Sequence, residues 1–377
     1  MYDAIVVGAG TAGSVIAREL AEKGQKVLVL EKKHHVGGNC YDEKDKDGVL
    51  IHLYGPHIFH TNNEEVFEYL SRFTDWRYFR HEVVANVHGN LMPVPFNLHT
   101  LKEAFPEDAD MLKEKLLAKY GMGTKVPILD LMEQEDEDLK RVGKFVYDNI
   151  YVYYTMKQWG KKPEEIDPAV TARVPVNISD DNGYFADKYQ GLPKDGFTPM
   201  YEKMLDHEKI TLKLHTEAKD VIEIKGDQVW YEGQAFDGQL IFTGPLDEFF
   251  DCKYGRLPYR TLRFSFEHYD KPDYQGHSVV NYTVDEDFTR ITEYKWLTGQ
   301  ECEGTTISKE YPFAYTGEDG QIPYYVIAND ENQALYEKYK EEVANVKNFH
   351  LLGRLAEYQY YNIDKMVEKA LEMSKTL

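Results

Sequence analysis

At 377 residues, with 42% hydrophobic and 29% charged residues, the chain can bury two or three cores and does not have the composition of a disordered protein. Its 65 acidic against 44 basic residues leave a net charge of −21, a field that repels polyanions, so nucleic acid and anionic membrane are excluded as expected partners. No stretch reaches the roughly 20 apolar residues of a membrane span, and three scattered cysteines, Cys40, Cys252 and Cys302, fit a reducing compartment, so a cytoplasmic location is expected.

The first predicted element is a Val/Ile-rich strand, Asp3 to Val7, which passes through Gly8, Gly10 and Gly13 into a helix, Thr11 to Lys23. Gly24 ends that helix and a second strand, Lys26 to Leu30, finishes at Glu31. Val66, Phe67, Leu70 and Phe73 are spaced for an amphipathic helix, and Glu82 to Pro95 reads as a strand pair turning at His88-Gly89-Asn90. From about Leu98 to Trp159 the pattern is helical and acidic, with Leu112, Leu116, Leu139, Val142, Val146 and Ile150 at helical spacings. Lys161 to Asp181, with Pro163, Pro168 and Pro175, reads as a loop long enough to move. Short strands then recur at Thr211 to Leu214, Val221 to Ile224, Gln228 to Tyr231, Gln239 to Phe242, Thr261 to Phe266, Ser278 to Tyr282 and Thr289 to Lys295, a pattern that suggests a mostly antiparallel sheet. Phe349 to Leu352 and a helix from Ile363 return to the first unit.

The chemistry begins at Gly8-x-Gly10-x-x-Gly13. Gly8 permits the tight turn, Gly10 lets a pyrophosphate approach the backbone, Gly13 allows close helix-strand packing, and the helix N-terminus offers free N–H groups. With Glu31 placed to accept hydrogen bonds from a ribose, the unit reads as a dinucleotide site; the bland alternative is a glycine-rich turn in an unrelated α/β protein. The sequel, Glu31-Lys32-Lys33-His34-His35-Val36-Gly37-Gly38-Asn39, resembles the segment by which FAD-dependent amine oxidases and reductases wrap the cofactor's phosphates, so FAD rather than NAD is expected.

Further along, Gly55-Pro56-His57-Ile58-Phe59-His60-Thr61, Tyr154-Thr155-x-Lys157-Gln158-Trp159-Gly160, Tyr189-Gln190-Gly191, Thr243-Gly244-Pro245, Tyr259-Arg260, Thr289-Arg290-Ile291, Glu310-Tyr311-Pro312, Pro323-Tyr324-Tyr325 and Gly353-Arg354-Leu355 occur in the order of one family. Over nearly its whole length the chain resembles the bacterial UDP-galactopyranose mutases. The resemblance implies an α/β fold: a discontinuous Rossmann-like FAD-binding domain (1–75, 190–245 and 345–377), an inserted helical domain (97–189, mobile loop 161–181) and an antiparallel β-sheet domain (76–96 and 246–344). It implies interconversion of UDP-galactopyranose and UDP-galactofuranose, in which N5 of reduced FAD attacks the anomeric carbon with no net redox change. A homodimer is also implied, and no metal is expected.

Residue by residue, the resemblance assigns Arg173 and Arg290 to the substrate's diphosphate, and His57 to the flavin's neighbourhood. Tyr154, Thr155, Trp159 and Tyr184 would serve the uridine end, Tyr325 and Tyr360 the diphosphate region, and His81, Ile150 and Asn281 further substrate contacts. Gly8, Gly10, Gly13, Glu31, Lys32, Gly38, Asn39, Ile58, Arg260, Arg354, Tyr361 and Asn362 complete the cofactor set. Asn362 stands where many relatives carry Asp, and Ile150 where some carry Phe. For any one of the 29 tyrosines taken alone, packing is the better expectation, as is a solvated charge for Arg173. Two other classes compete: a flavin oxidoreductase of the same superfamily, which would take two electrons from an amine or polyene, and a non-catalytic binder of FAD or UDP-sugar.

Overall fold

The computed structural model describes residues 1–160, 162 and 175–377. Residues 161 and 163–174 are not described, so Arg173 and most of the expected loop lie outside the described residues.

Strand β1 (Ala4–Val7), helix α1 (Thr11–Glu22) and strand β2 (Val27–Leu30) form the expected βαβ unit. A five-stranded sheet grows around β1 in the order Ile210–Lys213, β2, β1, Gln239–Phe242, Phe349–Leu351, with every neighbouring pair parallel. Its central strands β1 and β2 are apolar throughout and wholly buried because both faces are covered. Ala4, Val6, Val27, Val29 and Ile241 point to a core with α1 and the helices Phe197–Leu205 and Ile363–Ser374. Ile5, Val7, Leu28, Leu30, Leu240 and Phe242 point to a second core with Asp330–Val343.

A seven-stranded sheet runs Tyr325–Val326, Tyr259–Tyr269, Thr305–Ala314, Arg290–Glu293, Val279–Tyr282, Val83–Val87, Asn90–Val94. All its pairs are antiparallel except Val83–Val87 with Val279–Tyr282. The helices between Leu98 and Trp159 close over its Val83–Val94 end, burying Leu112, Leu116, Leu139, Val142 and Val146 with Val83, Ala85 and Met92. The α/β class, with a Rossmann-like unit, a helical region and a largely antiparallel sheet, is therefore the observed architecture. Among the described residues no helix is long and apolar enough to cross a membrane.

Four readings of elements change. Ile210–Lys213 and Gln239–Phe242, which fell in a run suggestive of one antiparallel sheet, belong to the parallel sheet, since strand periodicity identifies a strand and not its partner. Ile222–Lys225, Gln228–Tyr231 and Gln234–Phe236 make a separate three-stranded sheet. Pro175–Asn177, expected inside a loop, is a strand paired with Lys125–Pro127, held there because Val176 and Ile178 are buried in the helical core. The helix Asp330–Val343, capped by Asn329, is an element beyond those expected, with Tyr336, Tyr339 and Val343 at helical spacing on its buried face.

A double cavity as the candidate active site

The turn after β1 is built by glycines with different duties. A Cβ at Gly13 would lie 1.9 Å from the Gly8 carbonyl oxygen, so Gly13 lets α1 sit against the strand end. Gly10 and Gly38 face each other: a Cβ on Gly38 would stand 3.0 Å from Gly10 Cα. α1 has no side-chain cap and no acidic residue in its first turn, so its N–H groups and its dipole are available to an anion. Glu31 is fixed at the end of β2 by accepting the backbone N–H groups of Ala9 and Lys33, each at 2.8 Å.

These groups open on a cavity of about 450 Å³. Gly8, Gly10, Glu31, Lys32, Gly38, Asn39, His57 and Arg354 line it, as expected of a cofactor site. A groove with two facing glycines, an uncapped helix start and a carboxylate at the second strand fits the ADP portion of FAD. When bound there, FAD would be held by backbone at Gly10 and Gly38, with Glu31 toward its ribose.

A second cavity, of about 280 Å³, adjoins the first, and Asn39, Tyr54, His57, Tyr324, Arg354 and Ile363 belong to the walls of both. Its floor is one row of the seven-stranded sheet. Phe264 pairs with Glu310, Glu310 with Arg290 and Arg290 with Asn281, so register alone sets these four side chains abreast on one face. His81, Tyr184, Tyr325 and Tyr360 complete the ring of expected substrate residues on this cavity. Ile58, Tyr361 and Asn362, expected at the cofactor, line this smaller cavity and not the larger one.

Arg290 donates to the Tyr154 hydroxyl at 2.7 Å, and its Nε lies 3.6 Å from Glu310. Burial opposes the charge of Arg290, but the Glu310 carboxylate and the Tyr154 and Tyr325 hydroxyls outweigh it and keep the guanidinium protonated. Three buried polar atoms of this wall, Arg290 Nε, Asn281 Oδ1 and His81 Nδ1, have no hydrogen-bond partner among the described residues. Such atoms are costly to leave unpaired and are suited to a polar ligand. Arg354 donates to the Tyr324 carbonyl at 2.9 Å and stacks over Tyr360 at 4.4 Å.

His57 sits on the shared wall. Its Nδ1 lies 2.9 Å from the Gly55 carbonyl, and its backbone N–H donates to His52 Nδ1 at 3.0 Å. Only an N–H can face a carbonyl, so Nδ1 carries the proton and Nε2 is the lone-pair face. Burial, then the neighbouring His52, holds this imidazole down at about 4; burial and Arg290 hold His81 down at about 3.

Some expected site residues are elsewhere. Ile150 packs in the helical core, because the π-helical segment Tyr147–Tyr151 continues the buried face of the preceding helix. Arg260 lines neither cavity: its guanidinium donates to the carbonyls of Gln158 and Lys157 at 2.8 and 3.2 Å and so satisfies the end of the helix Val152–Trp159. Thr155 is buried in that helix, and it and Trp159 line neither cavity. Lys157 of the same motif donates to the carbonyls of Tyr282, Glu286 and Phe288, tying the helix to the sheet. Glu310 is the residue that motif reading passed over. It stood in a quoted motif, but nothing in a sequence says that its strand neighbour is Arg290.

The family model for UDP-galactopyranose mutase matches residues 149–360, and one for an NAD(P)-binding Rossmann-like domain matches residues 6–73. A probable UDP-galactopyranose mutase of Klebsiella pneumoniae is 38% identical, with 98% of this chain and 92% of the relative covered. A dTDP-fucopyranose mutase of Escherichia coli is 36% identical, with 100% and 98% covered, and the UDP-galactopyranose mutase of Mycoplasma pneumoniae is 34% identical, with 100% and 96% covered. In fold, a crystal structure of reduced UDP-galactopyranose mutase superposes with a TM-score of 0.70 at 15% identity, covering 100% of this chain and 93% of that one. With more than half of the chain matched by the family model and full-length relatives above 30% identity, the chain belongs to the UDP-galactopyranose mutase family.

Proposed function

We propose that this chain is an isomerase that interconverts UDP-galactopyranose and UDP-galactofuranose, with FAD in the larger cavity and the sugar in the smaller. The observation that carries this reading is the common wall: Asn39, Tyr54, His57, Tyr324, Arg354 and Ile363 border both spaces, so a cofactor ring and a sugar can meet there. Bound and reduced, FAD supplies the electron pair of N5 as a nucleophile for the anomeric carbon.

The chain's own residues bind, orient and neutralise. Arg290, kept charged and bonded to Tyr154, holds the diphosphate that must leave and return, a task suited to a preorganised guanidinium. Arg173, which lies outside the described residues, is proposed as its partner on the diphosphate. His57, on the common wall, is neutral, and with Nδ1 committed to the Gly55 carbonyl it can offer a ligand the Nε2 lone pair and no charge. Tyr325 and Tyr360, stacked with centroids 6.2 Å apart, form an aromatic face beside Arg290 and Arg354.

The test is incubation of dithionite-reduced, FAD-loaded protein with UDP-galactofuranose and separation of the products by chromatography. UDP-galactopyranose is expected from the reduced protein only. Equal turnover by oxidised protein, or by protein carrying a reduced deaza-FAD with carbon in place of N5, would overturn the nucleophilic role. A second reading, action on dTDP-fucopyranose, rests on the full-length E. coli relative. The ratio of kcat/KM for the two nucleotide sugars decides between them.

A further inference from the structure

Among the described residues that line the smaller cavity, Glu310 is the single carboxylate. It is 2% exposed, its carboxylate accepts among the described residues only a long hydrogen bond of 3.5 Å from the Thr289 hydroxyl, which lies closer to the Glu310 carbonyl at 3.1 Å, and its counter-charge is Arg290 at 3.6 Å. A buried carboxylate with so little hydrogen bonding depends on its ion pair. Strand register sets the two side by side without any ligand. An incoming diphosphate claims the same guanidinium and brings like charge against the carboxylate.

We propose that Glu310 is a positioning residue for Arg290, and that it takes up a proton when a nucleotide-sugar diphosphate engages that arginine. The charge of the pair thereby passes from internal neutrality to a free cation for the ligand: the carboxylate of Glu310 becomes a carboxylic acid, the proton comes from solvent, and no other bond changes. Burial already pushes Glu310 above the usual carboxylate range, with Arg290 and the Thr289 hydroxyl opposing. The other groups with which it interacts electrostatically are Tyr154, Tyr294, Tyr324 and Tyr325, all pushed upward by burial and therefore neutral. Neutral phenols cannot supply the uptake. The inference rests on the diphosphate reading of Arg290 given above.

The experiment is titration calorimetry of the oxidised, FAD-loaded protein with UDP-galactose, whose phosphodiesters do not titrate near neutrality, in buffers of different ionisation enthalpy. The wild type is expected to take up protons on binding, and its affinity to fall by up to about tenfold per pH unit as pH rises through the uptake range. Glu310→Gln, which mimics the protonated acid, should bind with heats independent of buffer and an affinity flat in pH. Glu310→Asp should retain the uptake with a displaced midpoint. His57, His81 and the His60–Asp187 pair are present in all three proteins and cancel in the comparison. Equal uptake in Glu310→Gln and wild type, or none in wild type, overturns the inference and leaves the diphosphate reading standing. Failure of both UDP-galactose and dTDP-fucopyranose to bind the wild type overturns both.

Discussion

Replacing Gly10 by alanine separates the cofactor's needs from those of the fold. Gly10 has an ordinary φ of −78°, and an added Cβ would sit 3.6 Å from Gly38 Cα, a normal contact. The protein should fold with its stability changed by less than about 1 kcal/mol. The methyl group would nonetheless thicken the backbone surface formed by Gly10 and Gly38, against which the pyrophosphate of FAD is proposed to lie. Overpacking of that kind costs about 1–3 kcal/mol, which corresponds to a loss of roughly 5- to 150-fold in FAD affinity. Gly13→Ala is the control, since its Cβ would lie 1.9 Å from the Gly8 carbonyl oxygen, and a loss of about 3 kcal/mol or more in stability is expected. Titration of deflavinated protein with FAD, followed by flavin absorbance, gives the affinity, and urea unfolding gives the stability. Wild-type FAD affinity in Gly10→Ala would refute the placement of the pyrophosphate, and a fully stable Gly13→Ala would refute the packing argument.

Arg290→Ala should retain FAD but lose about 3 kcal/mol in kcat/KM, roughly 150-fold, and Arg290→Lys should recover little of it because a point charge cannot copy the fork that meets Tyr154; steady-state kinetics on the reduced protein decide. Lys157→Met removes an ammonium that serves three carbonyls, so the urea midpoint should drop by the equivalent of about 1.5–3 kcal/mol, and an unchanged midpoint would contradict the tying role. Burial holds His52 at about 4 against an ordinary 6.5, so between those values the unfolded chain binds a proton that the folded one does not. Its contribution is complete above pH 6.5 and is lost as pH falls toward 4, by about 3 kcal/mol. His52→Asn should flatten the dependence of unfolding free energy on pH in that window.

Local rules carried the sequence reading furthest where the structure is local. The strand-glycine-helix-strand start was legible because each glycine answers a constraint within a few residues of itself, and the pair around His88-Gly89 because a turn sits between two alternating runs. What was not legible depends on partners far along the chain. Arg260 looked like a pocket residue, and only the packed helix end reveals that it serves two carbonyls about a hundred residues away. Ile150 follows the helical spacing of the buried residues before it, so its place in the core was present in the pattern and was overridden by a motif match. The row Phe264, Glu310, Arg290, Asn281 is a product of register across four strands, which no sequence period encodes.

The order of the five-stranded sheet has a consequence for synthesis. β1 leaves the ribosome well before its second neighbour, Gln239–Phe242, which is more than two hundred residues behind, and the outer strand Phe349–Leu351 is later still. At roughly 5–20 residues per second, β1 waits ten seconds or more with one edge unpaired, a non-local closure of the slow kind. The helices between Leu98 and Trp159, whose contacts with one another are short-range, can form in that interval. Thr243, Gly353 and Arg354, all on the larger cavity, arrive only with the last strands. A chain arrested before residue 349 therefore carries the glycine signature but an unfinished cavity, and retention of flavin by nascent or truncated chains reports whether the strand Phe349–Leu351 and the cavity residues after it have been made.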